Sequence, residues 1–170
     1  MTIEELLEIA DNKGVKIYDF PMRELRAVAL VGGAIAIDKS KLSGDTEYKC
    51  VVAHELGHQV TGSFYNIHTS VPVLELNERQ ANRYAAELLV PFSKLRHAIH
   101  ERHICVNRTL AKLFGVTLAF LEMVLDLYEQ ELASPANRRI ACPQASYSIP
   151  YNHTSIIHAG TQYELSKVQT

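Results

Sequence analysis

The segment His54-Glu55-Leu56-Gly57-His58 carries two histidines with three residues between them and a glutamate after the first, the pattern H-E-x-x-H. Residues four apart on a helix lie on the same face, so both imidazoles point at one spot. Two ligands of a tetrahedral zinc ion need this geometry. Glu55 lies beside them, where its carboxylate can act on a water molecule instead of binding the metal. The pattern therefore predicts a hydrolytic zinc site, against the alternative of a solvated helix face with two ordinary histidines.

A hydrolytic zinc site needs a third protein ligand and leaves its fourth position to water. The segment 75–90, which we expect to be helical, offers Glu75, Glu78 and Glu87. On a helical wheel, Glu78 shares the small and apolar face, Glu87 lies on the opposite face, and Glu75 stands near the helix start. Glu78 is therefore the preferred third ligand and Glu75 the second choice. Asn82, one turn after Glu78, is placed to hydrogen bond to a liganding histidine.

Other cysteines and histidines do not extend this site. A trio of Cys50 and the two motif histidines would spread over about 12 Å of one helix. One ion cannot bridge that span with bonds of about 2.0–2.3 Å, so we expect Cys50 to be a small core residue. Three further histidines recur at every third residue near basic side chains, and we expect them to form a solvated face. They are His97, His100 and His103.

The elements that must position these residues follow from periodicity and turn signals. Helices are predicted over 2–12, 45–62, 75–90, 93–103, 107–114 and 117–132. Strands are predicted over 15–20, 27–31 and 34–38, with Gly32-Gly33 as a hairpin turn. The links between strands are short, so we expect a small, mostly antiparallel three-stranded sheet packed on helices. The segment 62–74 is expected to be irregular, with Asn77 as a possible cap of the next helix. The fold class is α+β with a helical C-terminal part.

The length of 170 residues suits one domain, and the periodic pattern ends near residue 132. Residues 1–132 are therefore interpreted as the folded domain. Residues 133–170 are rich in Ser, Thr, Asn, Gln and Pro, and we expect an extended or poorly ordered tail.

Charge and composition exclude several classes of protein. A net charge of -2 gives no electrostatic footprint for nucleic acid or for an anionic membrane. The longest apolar stretch, residues 27–37, is shorter than the roughly 20 residues that a membrane helix needs. Three widely spaced cysteines do not form a disulfide framework. We therefore expect a cytoplasmic protein that contacts neither membrane nor nucleic acid directly.

The segment 107–132 resembles a small helix-turn-helix unit in its pattern of two helices around a glycine-containing turn. Its second helix is acidic, however, which argues against DNA binding.

The motif and its surroundings resemble a known family. HELGHQVTGSFYN followed by ERQANRYAAELLVP, with the lead-in AIAIDKSKLSGDTEYKCVVA, is similar to the ImmA/IrrE-type metallopeptidases. The resemblance covers about residues 15–132 and is most specific over 52–91. It implies a zincin-like fold, with one zinc ion held by His54, His58 and Glu78 and with Glu55 as catalytic base. Glu78 is also the third ligand chosen on the helical wheel.

The resemblance also implies a biological role. Such proteins are typically cytoplasmic, often belong to mobile elements or prophages, and are thought to cleave a helix-turn-helix repressor. We therefore expect a zinc endopeptidase whose partner is a repressor encoded nearby. Its oxyanion donor would come from Tyr65, His68 or Tyr84, among which the sequence does not choose. The alternative is a regulatory protein-binding module that uses zinc for stability and does not turn over a substrate.

Overall fold

The structure, a computed structural model, describes residues 1–66 and 68–133, in which six α-helices accompany three strands. The strands are β1 (Lys16–Asp19), β2 (Ala27–Leu30) and β3 (Ala34–Ile37). The helices are α1 (Ile3–Asn12), α2 (Asp45–Thr61), α3 (Val71–Leu89), α4 (Phe92–His100), α5 (Asn107–Phe114) and α6 (Leu118–Ala133). The predicted α+β class is confirmed. Most of the predicted tail lies outside the described residues, and Ala133, which we assigned to it, ends α6.

The three strands form one mixed sheet in the order β1-β3-β2. The hairpin makes β2 and β3 antiparallel, whereas β1 and β3 pair in parallel. We expected mostly antiparallel pairing, and one of the two pairings differs. The reason is the link 20–26, which carries the chain two strand spacings, about 10 Å, from β1 to β2. Strand β3 then fills the gap between them, and β2 is left at an edge of the sheet.

Helix α3 begins at Val71, several residues before the predicted start at 75. Ser70 is its N-cap residue, and Pro72 lies in the first turn, where a missing N–H costs no helical hydrogen bond. Asn77, predicted as a possible cap, is therefore inside the helix. Its side-chain Nδ2 donates a hydrogen bond of 2.9 Å to the carbonyl oxygen of Phe64. This bond holds the connection between α2 and α3 against α3.

Helix α2 lies at the centre of the fold. Every residue from Lys49 to His58 is buried, so this helix has no single solvated face. It packs against α3, α1 and strand β2. The Lys49 ammonium donates to the carbonyl oxygens of Met1 and Phe114, which ties α2 to the N-terminus and to the end of α5.

Among the described residues, no helix combines the length and the apolar composition that crossing a bilayer requires.

Helices α2 and α3 are in close backbone contact at Gly57. A Cβ atom on this residue would lie 2.5 Å from the carbonyl oxygen of Ala81 and 2.9 Å from its Cα. Both atoms belong to the α3 backbone, which cannot rotate away as a side chain can. Gly57 therefore allows the two helix backbones to touch, and Ala81, which is fully buried, keeps the opposing surface small.

We expect Gly57→Ala to destabilise the metal-free protein by about 1–3 kcal/mol, because the added methyl group must push α3 away. Intrinsic helix propensity alone predicts the opposite sign, a gain of up to about 1 kcal/mol. Urea denaturation in EDTA measures the difference. Thr46→Ala, an exposed substitution in the same helix, is the control and should change stability little. A stabilised Gly57→Ala protein would refute the close contact.

Candidate metal centre

Three side chains from two helices converge at the centre of the molecule. The Nε2 atoms of His54 and His58 are 3.1 Å apart. The Glu78 carboxylate faces both, with Oε2 3.4 Å from Nε2 of His54 and Oε1 3.4 Å from Nε2 of His58. Each of the three residues is no more than 6% exposed. The four-residue spacing on α2 places the imidazoles on one face, and the contact with α3 brings Glu78 opposite them.

The three residues fit a tetrahedral metal ion. With zinc bonds of about 2.0–2.1 Å, neighbouring ligand atoms lie about 3.3 Å apart. The separations of 3.1 and 3.4 Å are close to this value. Among the described residues, neither oxygen of the Glu78 carboxylate accepts a hydrogen bond, although both are buried. Buried carboxylate oxygens without a donor are costly, and a cation at this point would satisfy them.

Hydrogen bonds on the far side of each imidazole set its orientation. Nδ1 of His54 donates to Oδ1 of Asn82 over 2.8 Å, and Nδ1 of His58 donates to the carbonyl oxygen of Ser63 over 2.8 Å. In the neutral state that binds a metal, each imidazole carries its one proton on Nδ1, so both Nε2 atoms then present lone pairs to each other. Two lone pairs at 3.1 Å repel unless a proton or a metal ion lies between them. Such hydrogen bonds to the second nitrogen are typical of metal-binding histidines.

The contact between His54 and Asn82 is the one that the helical wheel predicted. Ser63, in contrast, was missed by the sequence analysis. It follows Gly62, which ends α2 in the left-handed conformation at φ +66° and turns the chain back toward His58. The bond to His58 uses a backbone carbonyl, which every residue type possesses, so no residue signal could have revealed it. The Ser63 hydroxyl, 3.0 Å from Nδ1 of His58 and 2.7 Å from the Thr61 hydroxyl, adds a second contact.

Glu55 points from α2 toward the sheet and is 2% exposed. The backbone N–H of Ala29, on the edge strand β2, lies near its carboxylate and favours the anionic form. Oε1 of Glu55 has no hydrogen-bond partner in the described part of the chain. Burial raises the pKa of Glu55 above its usual range, although the nearby imidazoles oppose the shift. The carboxylate therefore lies next to the metal ligands with one free acceptor atom and an increased proton affinity, as a general base requires.

Glu78 and His54 shift each other's pKa in opposite directions. Burial alone would raise the pKa of Glu78, but the two facing imidazoles outweigh it and hold that pKa well below its usual range. Burial lowers the pKa of His54, but the contact with Glu78 and the charge of Glu55 outweigh it and raise the pKa. Glu78 is thus anionic at neutral pH, which is the state that ligates a metal.

The other residues that the sequence analysis considered for the site are not among the three clustered ligands. Glu75 and Glu87 are exposed, Glu87 as the wheel predicted, and Cys50 is a buried core residue as expected. Of the three oxyanion candidates, Tyr65 packs edge-on against the His58 ring at 5.7 Å, whereas His68 is exposed. Tyr84 is partly buried on α3.

His97, His100 and His103 are exposed, as expected, but α4 ends at His100, before the predicted end at 103, and His103 follows the helix with φ +52°. Among the described residues, the cluster of His54, His58 and Glu78 is the single group of three possible ligands whose atoms lie within 4.8 Å of one another. Neither Cys50 nor these exposed histidines take part in a second group.

The chain matches the model of a known protein family. The family model of the IrrE N-terminal-like domain, Peptidase_M78, matches residues 11–126, which include every residue of the cluster. The chain belongs to this family. The resemblance drawn from the motif is thereby confirmed, and the family is one of metal-dependent peptidases. Neither the curated proteins nor the solved structures gave a match to the chain.

Glu78→Gln is expected to weaken metal binding strongly, because an amide lacks the charge that a divalent cation needs. Zinc titration of the metal-free protein with a chromophoric competitor measures the affinity. Glu75→Gln, the same change at the exposed second choice, should bind zinc as the unaltered chain does. An equal loss of zinc affinity in both variants, or a loss in Glu75→Gln alone, would contradict the assignment of Glu78 as the third ligand.

Asn82→Ala is expected to lower zinc affinity by about 10–100-fold, since the His54 ring loses the acceptor that fixes its tautomer. Asn82→Asp, which retains an acceptor at the same point, should recover most of the affinity. Gln80→Ala is the matched control on the exposed side of α3. The same competitive titration measures the zinc affinity of all three variants. An unchanged zinc affinity in Asn82→Ala would contradict a role for the His54–Asn82 hydrogen bond in metal binding.

Proposed function

We propose that the protein is a zinc-dependent endopeptidase that hydrolyses a peptide bond in a specific protein partner. The observation that carries the proposal is the convergence of His54, His58 and Glu78. Among the described residues, no fourth His, Cys, Asp or Glu completes this group. Structural zinc sites use four protein ligands, whereas catalytic sites use three and keep one position open. The set of three therefore favours an enzyme over a module that uses zinc only for stability.

Each residue of the cluster has a separate task in this proposal. The two imidazoles and the Glu78 carboxylate hold the ion. A zinc ion in such a site acidifies water and polarises a carbonyl group. Glu55 accepts the proton of the attacking water through its free Oε1 atom, and then returns it to the amine that leaves.

We propose as substrate a helix-turn-helix repressor encoded near this protein, within the cytoplasm. The proposal rests on the family and on the near-neutral charge of the chain, which favours a protein partner over a nucleic acid. Cleavage of the repressor would end repression irreversibly. A neighbouring repressor gene in a prophage or mobile element would identify the substrate class.

Glu55→Gln is expected to retain zinc and to lose cleavage by about 10²–10⁴-fold, since the amide cannot accept the proton. The experiment incubates the zinc-loaded protein with the repressor encoded nearby and follows the products by mass spectrometry, together with the bound zinc. Glu87→Gln, an exposed change on α3, is the control and should cleave normally. Normal cleavage by Glu55→Gln would refute the mechanism. Tight binding of an intact repressor by the unaltered chain would favour the module instead.

A further inference from the structure

A cavity of about 310 Å³ borders the metal centre at His54. It lies between the first half of α2 and the beginning of α6. Its inner end is formed by His54 and Asn82, which are the metal-facing histidine and the amide that orients it. We call this cavity the side pocket. His54 thus belongs both to the metal centre and to the wall of the pocket, so the two are about one imidazole ring apart.

The middle of the side pocket is apolar. Val51 stands on one wall, one helical turn before His54, and Phe120 and Met123 of α6 stand on the other. Val51 and Phe120 are almost fully buried and belong to the hydrophobic core, so these walls are fixed by packing. Ala119, by contrast, is exposed and leaves the pocket open where a larger residue would fill it.

The far end of the side pocket carries paired charges. Arg26 and Glu47 form an ion pair, with 2.9 Å between Nη1 and Oε1. The other oxygen of Glu47 accepts hydrogen bonds from the backbone N–H and the hydroxyl of Ser43. Seven residues separate Glu47 from His54, so this end lies about 10 Å along α2 from the metal ligand. The charges of Arg26 and Glu47 are therefore paired, although Nε of Arg26 is buried without a hydrogen-bond partner in the described part of the chain.

We propose that the side pocket receives the substrate side chain next to the scissile bond and selects an uncharged, apolar one. The inference rests on the proposed function, because it needs a substrate at the metal. Apolar walls favour such a side chain by removing its surface from water. A charged side chain of similar length would lose hydration against these walls and would end well short of the ion pair, which lies about 10 Å along α2 from His54.

The test uses zinc-loaded full-length protein and three hydroxamates, which bind a zinc ion and differ in the attached group. Acetohydroxamate has only a methyl group, the second probe carries an isobutyl group, and the third carries a carboxyethyl group of similar length. We expect the isobutyl probe to bind at least about tenfold more tightly than acetohydroxamate. The carboxyethyl probe should bind no more tightly than acetohydroxamate. Calorimetric titration measures the three affinities.

Ala119→Phe should cancel the gain of the isobutyl probe, because the larger side chain occupies the pocket. Acetohydroxamate should bind this variant as it binds the unaltered chain. Leu118→Phe, the adjacent exposed position that does not line the pocket, is the matched control and should retain the gain. Retention of the gain in Ala119→Phe overturns the inference.

A direct readout comes from the methionines of the unaltered chain, labelled with ¹³C in their methyl groups. The Met123 signal should shift with the isobutyl probe, whereas the Met22 signal, outside the pocket, should not. A protein that binds zinc and acetohydroxamate but gains nothing from the isobutyl group refutes the pocket and leaves the endopeptidase intact. A protein that binds neither zinc nor acetohydroxamate refutes the proposed function, and the pocket with it.

Discussion

The contact between the backbones of α2 and α3 at Gly57 and Ala81 is the constraint on which the metal centre depends. Gly57 lies between the two histidines, and Ala81 lies about one turn after Glu78, so this backbone contact is part of the cluster itself. Metal bonds of about 2.0–2.2 Å tolerate little error in the distance between ligands on different helices. The small residues at the contact fix that distance, because neither helix can approach further and a side chain at Gly57 would hold them apart.

Burial makes this centre electrostatically demanding. Two histidines and two glutamates are enclosed with exposed fractions between 2% and 6%. The fold compensates most of their polar atoms with specific partners, namely Asn82 for His54, Ser63 for His58 and the Ala29 N–H for Glu55. In the part of the chain that the structure describes, the carboxylate atoms of this group left without such a partner are Oε1 of Glu55 and both oxygens of Glu78. The hydrogen bonds thus arrange the donors and acceptors so that a cation, rather than a protein group, completes the site.

The small sheet contributes to the site through its edge strand. Strand β2 lies outermost and next to α2, where its backbone reaches Glu55. The Gln59 side chain of α2 donates hydrogen bonds to the carbonyl oxygens of Leu30 and Ala34, at the two ends of the hairpin turn. These bonds fix the hairpin to the helix that carries both histidines. The sheet therefore positions the expected base relative to the ligands.

Most of the chemistry of the centre could be predicted from the sequence. The spacing of His54 and His58 and the preference for Glu78 over Glu75 and Glu87 follow from helical geometry, which fixes where a side chain points around its own axis. The contact of Asn82 follows from the same rule. The ends of α2 and α5 follow from the glycines that stop them, Gly62 and Gly115, whereas α3 begins four residues before its predicted start and α4 ends three residues before its predicted end.

Only the tertiary structure decided which atoms of different elements meet. The need for glycine at position 57, the backbone bond from His58 to Ser63, the parallel pairing of β1 with β3 and the side pocket all depend on packing between segments distant in the chain. No residue type or period encodes these distances. Periodicity determines direction around one helix or strand, whereas separation between elements is set by the shapes of all the side chains packed between them.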